Sequence, residues 1–154
     1  MRVKIKEFAI ADFQSIYQLD RTHKRLLGNL VKIWSGCTQI VSSFYQKSSL
    51  RPLIKKVGIC IQIILVNLQI ILDDICYQQM IYRYIKSIGW HDLQYIAFIA
   101  CSCQRVEIIL IFNRVISTTQ IIDLKCLGAS VIQYAILNQA YTDIVNTANP
   151  KFYV

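Results

Sequence analysis

The first regular pattern along the chain is Val3-Lys4-Ile5-Lys6, where apolar and charged residues alternate with the period of a half-buried strand. Residues 26–34 are apolar-rich and fit a helix or a strand. Ser35-Gly36 signals a turn, and residues 39–45 again have strand character. Ser49 and Pro52 suit the N-cap and first turn of a helix to follow. The clearest periodicity comes next. Ile61, Leu65, Leu68, Leu72 and Ile75 recur at spacings of 4, 3, 4 and 3, which predicts a heptad seam, continued by Gln79 and Tyr82. A helix over 59–87 would be about 40 Å long. Ile63, Ile64, Ile70, Ile71 and Ile85 lie on its other faces, so it needs cover on more than one side. A partner helix on the seam and the chain's own small domain elsewhere would supply that cover; the alternative is the core helix of a monomer. Gly89 ends it.

Residues 91–104 read as a second helix, with Leu93, Ile96, Ala97, Ala100 and Cys101 on one face. Residues 107–112 are β-branched and bulky, either a short strand or the tail of that helix, and 121–125 read as a short extended piece. Residues 128–136 and 139–147 then suit two short helices about a turn at Leu137-Asn138, a unit of helix–turn–helix size closed by Asn149-Pro150. With 5 Gly and 2 Pro in 154 residues, turn-makers are too few for a sandwich or barrel of many short strands. The expected fold is α+β and mostly helical.

Charge changes the picture. Of the 17 Lys and Arg, 11 fall in residues 1–56 against three acids (Glu7, Asp12 and Asp20), while the remainder is balanced. The basic first third is either a solvated positive surface or a face for a polyanion, with Lys24, Arg25 and Lys32 among its cations. The six cysteines form no CxxC pair and read as reduced, buried thiols, so no metal is expected. Residues 57–72 and 126–142 are uncharged but short and interrupted by amides, below what a spanning helix needs. Catalytic motifs are absent: no GxSxG, no phosphate-cradling glycine loop, no HExxH. Asp73-Asp74, the one carboxylate pair, reads as a solvated helix rim. Neither an enzyme nor a cofactor is expected.

Several short pieces carry a resemblance. Leu27-Gly28-Asn29-Leu30 with Ser35-Gly36 and Phe44-Tyr45 is similar to the end of an effector β-roll. Gln78-Gln79-Met80-Ile81 before Ala97-Phe98-Ile99-Ala100-Cys101 is similar to the end of a dimerisation helix and the start of a DNA-binding domain. Ile122-Asp123-Leu124-Lys125, then Val131-Ile132, Ala135-Ile136 and Thr142, is similar to the strand and first helix of a winged helix–turn–helix. Together they resemble the Crp/Fnr family of transcription regulators, in particular its nitrogen-control branch of cyanobacteria and plastids.

The resemblance implies a remnant β-roll over 1–52, a dimerisation helix over 53–89 and a partial winged helix–turn–helix over 90–154. It implies a homodimer on double-stranded DNA, in a plastid (chloroplast) or a bacterial cytoplasm. Asn138, Gln139, Tyr141 and Thr142 would read bases and Lys125 would sit at the phosphates, with Ile61, Leu65, Leu68, Leu72 and Ile75 as the dimer seam. Most of the family's glycine-rich effector portion has no counterpart here, which argues against a small-molecule effector. The alternative is a small membrane-associated or structural protein with a basic N-terminal surface.

Overall fold

A computed structural model describes residues 1–128 and 130–148. Its centre is one five-stranded antiparallel sheet in the order β1-β3-β5-β4-β2, formed by β1 (Arg2–Ile10), β2 (Lys24–Asn29), β3 (Gly58–Val66), β4 (Tyr95–Ser102) and β5 (Arg105–Asn113). Four helices flank it: α1 (Ser15–Thr22), α2 (Cys37–Ser48), α3 (Asp74–Ser87) and α4 (Ser130–Ala148). The alternation along β3 assigns the layers. Ile59, Ile61, Ile63 and Leu65 pack beneath α3 and α4 with Tyr77, Met80, Ile81, Tyr84, Leu137 and Ala140. Cys60 points the other way, into a second core with Phe13, Ile16, Ile40, Val41 and Phe44 of the α1/α2 layer.

This architecture corrects the expected one. The chain is α+β built on an antiparallel sheet, not mostly helical. The helix read over 59–87 is β3, a loop and α3. β3 is buried on both faces over its first part and stays apolar at Ile64 and Val66 beyond it, and so many isoleucines satisfy a heptad spacing as readily as a strand's. The seam dissolves with that helix: Ile61 and Leu65 are buried in β3, Leu68 and Leu72 lie in the following loop, and Ile75 is exposed on α3. The helix over 91–104 is β4. Residues 39–45 are helical within α2, where Ile40, Val41 and Phe44 share a buried face. Ser49 closes α2 as its C-cap, and no helix begins at Pro52.

Among the described residues the remnant β-roll, dimerisation helix and winged helix–turn–helix are not present. The segments 1–52, 53–89 and 90–154 contribute β1 and β2, β3, and β4 and β5 to the same sheet, so they are not separate units. Leu137-Asn138 is not a turn, because α4 runs unbroken through it; Asn149-Pro150 lies outside the described residues. The strand at Val3–Lys6 is present as β1, residues 107–112 belong to β5, and β2 occupies the start of 26–34.

Local chemistry fixes several joints. Asp73 caps α3 by accepting from the Cys76 amide, 2.9 Å away. Gly89, at φ +81°, closes α3 in the left-handed conformation, with the Trp90 amide reaching back to the Ile85 carbonyl. Under α2, buried Asn113 donates to the Phe44 carbonyl and to Gln94 Oε1, both at 2.9 Å, while its own oxygen accepts from the Val115 amide. That fully paired knot holds α2 to one end of the sheet.

Candidate nucleic-acid interface

Antiparallel register places side chains of the α1/α2 face in rows across the sheet. Phe8, Cys60, Ile111 and Ile96 form one row and Lys6, Gln62, Ile109 and Phe98 the next. Lys4, Ile64, Glu107 and Ala100 follow, then Arg2, Val66, Arg105 and Ser102. The first two rows run under α1 and α2, and their Cys60, Ile111, Ile96, Ile109 and Phe98 are buried. In the last two rows nothing is buried: Ile64, Val66, Glu107 and Ala100 are half-buried, and Lys4, Arg2, Arg105 and Ser102 exposed. A helix layer therefore stops partway along the sheet and leaves a stepped trough with an apolar floor.

Cations line its outer edge. Arg2, Lys4 and Lys6 project from one side of β1, roughly 6.6–6.8 Å from one to the next, and none makes an ion pair among the described residues. Charged residues on an edge strand also discourage sheet-to-sheet pairing, which β1 requires as an edge. Three other cations of the basic first third are occupied, while Arg21, Lys47, Arg51, Lys55 and Lys56 make no ion pair among the described residues either. Lys24 is paired with Asp74 at 2.8 Å, Arg25 is bound by Asp20 at 2.6 Å, and Lys32 Nζ lies 5.6 Å over the Trp34 ring.

At the step, a polar cluster joins α1 to the sheet. His23 Nε2 lies 2.8 Å from Glu107 Oε1 and Nδ1 2.7 Å from the Thr22 hydroxyl, which donates to the Gln18 carbonyl. Gln62 Nε2 donates to the other Glu107 oxygen at 3.2 Å, and Arg105 approaches it at 3.8 Å. Glu107 is thus compensated from three sides and does not cancel the charge of the β1 stripe.

Behind the cluster, between α1 and the sheet, is a cavity of about 330 Å³ floored by Phe8, Ile10, Cys60 and Ile109, with Gln62, His23, Thr22, Gln18 and Ser15 at its polar side. Burial, with the Glu107 charge second, pushes the Cys60 thiol up to about 12. That thiol is protonated at neutral pH and is no activated nucleophile. The arrangement is suited to holding a ligand.

Of the residues expected to read DNA, Asn138, Gln139, Tyr141 and Thr142 lie together on α4 and Lys125 outside it. Tyr141 is buried, and its hydroxyl accepts from the Gln69 and Ile70 amides at 3.2 and 3.3 Å. Asn138 donates to the Tyr134 carbonyl, Gln139 to Asp143, and Thr142 to the Asn138 carbonyl, all within α4. Lys125 is exposed in a 3-10 turn, Leu124–Cys126, and belongs to no reading helix. Asp73 and Asp74 divide as cap and as partner of Lys24. Among the described residues no cluster of side chains suits a metal ion, and no helix is long and apolar enough to cross a membrane.

The trough escaped sequence reasoning because its members come from four strands; only the Lys4/Lys6 alternation and the N-terminal charge excess pointed toward it. No protein-family model, curated protein or solved structure matches the chain.

Proposed function

We propose that the protein is a binding module for single-stranded nucleic acid, held in the trough on the α1/α2 face of the sheet. The unpaired stripe Arg2-Lys4-Lys6 beside the uncovered floor of Ile64 and Val66 carries this reading. Cations repeating every second strand residue match the repeat of an extended sugar–phosphate backbone. An apolar floor and the exposed ring of Phe8 offer surfaces for bases and sugars. Alternation of this kind, basic outside and apolar toward the centre, tracks the backbone of a strand. A duplex needs an element that enters a groove, and among the described residues the two-helix unit expected for that is one unbroken helix, α4.

Fluorescence anisotropy with a labelled oligonucleotide of about ten nucleotides, competed by the same sequence as a duplex and by anionic phosphatidylserine vesicles, tests the reading. Single strands are expected to compete best. Displacement by vesicles with no binding to any oligonucleotide would replace this reading with a membrane-surface one, and equal competition by duplex would remove the single-strand assignment.

A further inference from the structure

We infer that the cavity between α1 and the sheet is a nucleobase pocket, receiving one base of the strand whose phosphates lie on the β1 stripe. The inference rests on the proposed nucleic-acid reading and deepens it. Register joins the two features: Lys6 is paired with Gln62, which stands at the cavity's polar side, and Phe8, next on the same side of β1, forms part of its floor. A nucleotide with its phosphate at Lys6 therefore has its base at the cavity, one strand pair away.

Size and chemistry select the occupant. At about 330 Å³ the cavity is at the small end of the range for small-molecule sites, room for a ring system and not for a long chain. Phe8, Ile10, Leu19 and Ile109 supply apolar surface for the faces of a ring. The polar side is orientated in advance. Glu107 as a carboxylate only accepts, so the Gln62 amide nitrogen faces it through one of its two N–H groups, and among the described residues no donor reaches the amide oxygen. That oxygen accepts from an exocyclic amine. Adenine, cytosine and guanine offer it the two N–H of an amine, thymine and uracil only a ring N3–H set between two carbonyls, so the pocket favours the amino-bearing bases. Cys60, held protonated by burial, adds bulk and no charge at the floor.

Three strands of about ten nucleotides separate the possibilities: oligo-dA, oligo-dT and an abasic deoxyribose–phosphate chain. Oligo-dA is expected to bind about tenfold or more tighter than the abasic chain, in the range of one stacked base, and tighter than oligo-dT. Leu19→Trp and Cys60→Met fill the cavity from opposite sides, and each is expected to bring oligo-dA down to the abasic affinity while leaving the abasic chain unaffected. Gln62→Leu is expected to remove the preference for dA over dT. Equal binding of oligo-dA and the abasic chain would overturn the pocket and leave the nucleic-acid reading standing. An undiminished dA advantage in both filled variants, shown folded by circular dichroism, would do the same. Failure of every strand to bind would overturn both.

Discussion

The two faces of one sheet are finished differently. Along β3, Ile63 is fully buried beneath α3 and α4, while its neighbour Ile64 is half exposed on the opposite face. At the same level of the sheet Val3, Leu65 and Val106 are buried on the α3/α4 face, whereas Arg2, Lys4 and Arg105 are exposed on the other. The closed face is held by packing; the half-open one keeps only the part of its core that α1 and α2 reach. Two helices of 8 and 12 residues cannot span five strands of up to 9 residues, and Arg2 and Lys4 stand beside what they leave uncovered. Stability and binding are thereby assigned to opposite sides of the same strands.

The largest expected effect is at the closed face. Ile63→Ala should destabilise the fold by about 2–5 kcal/mol, against less than about 1 kcal/mol for Ile64→Ala, measured by urea unfolding. Equal losses would mean that the open face is covered in solution. A smaller loss marks the edge of the covered rows. A Cβ at Gly58 would fall 2.8 Å from Phe13 Cε1, 2.9 Å from Ile10 Cγ1 and 2.9 Å from the Phe112 carbonyl oxygen. Gly58→Ala should therefore cost about 1–3 kcal/mol through overpacking, and a neutral result would show that α1 sits loosely there.

The smallest effect concerns the anchor of α1. Arg25 beside Asp20 holds that carboxyl below its usual value of 3.8, burial opposing. The folded form therefore binds its proton less readily than the unfolded one. The stabilisation is present above the usual carboxylate value and lost as pH falls through the depressed folded one. Asp20→Asn should lower the melting temperature slightly at pH 7, by the equivalent of about 0.2–1 kcal/mol, and the difference should vanish in strong acid. A difference that persists unchanged there would assign the effect to packing.

How much of this was legible in the sequence depends on how far each element's signal was local. β1 was readable because one face is wet, so Val3, Lys4, Ile5 and Lys6 alternate. β3 and β4 read as helices because strands apolar on both faces lose that alternation, and residues 59–66 contain four isoleucines that fit almost any period. α2 hid behind its β-branched Thr38, Ile40 and Val41. α4 was divided in two because Asn138 looked like a turn residue, yet its side chain bonds back to the Tyr134 carbonyl within the helix. Of the candidate site, the excess of N-terminal charge was visible. Which cations stay free was not: Lys24 and Arg25 are neutralised by Asp74 and Asp20, the first across 50 residues. The trough needs the β1–β3–β5 register, and pairings so distant in sequence leave no local pattern.

The central claim, that Arg2, Lys4 and Lys6 meet phosphates, is tested most directly by the salt dependence of oligonucleotide binding in the native protein and in a variant with all three changed to Gln. Each phosphate neutralised on a single strand contributes about −0.7 to the slope of log K against log salt. The native slope is expected to be about −2 or steeper, and the variant's shallower by about 2, with the two proteins melting at the same temperature. Identical slopes in the two would contradict the claim and take the binding surface away from β1.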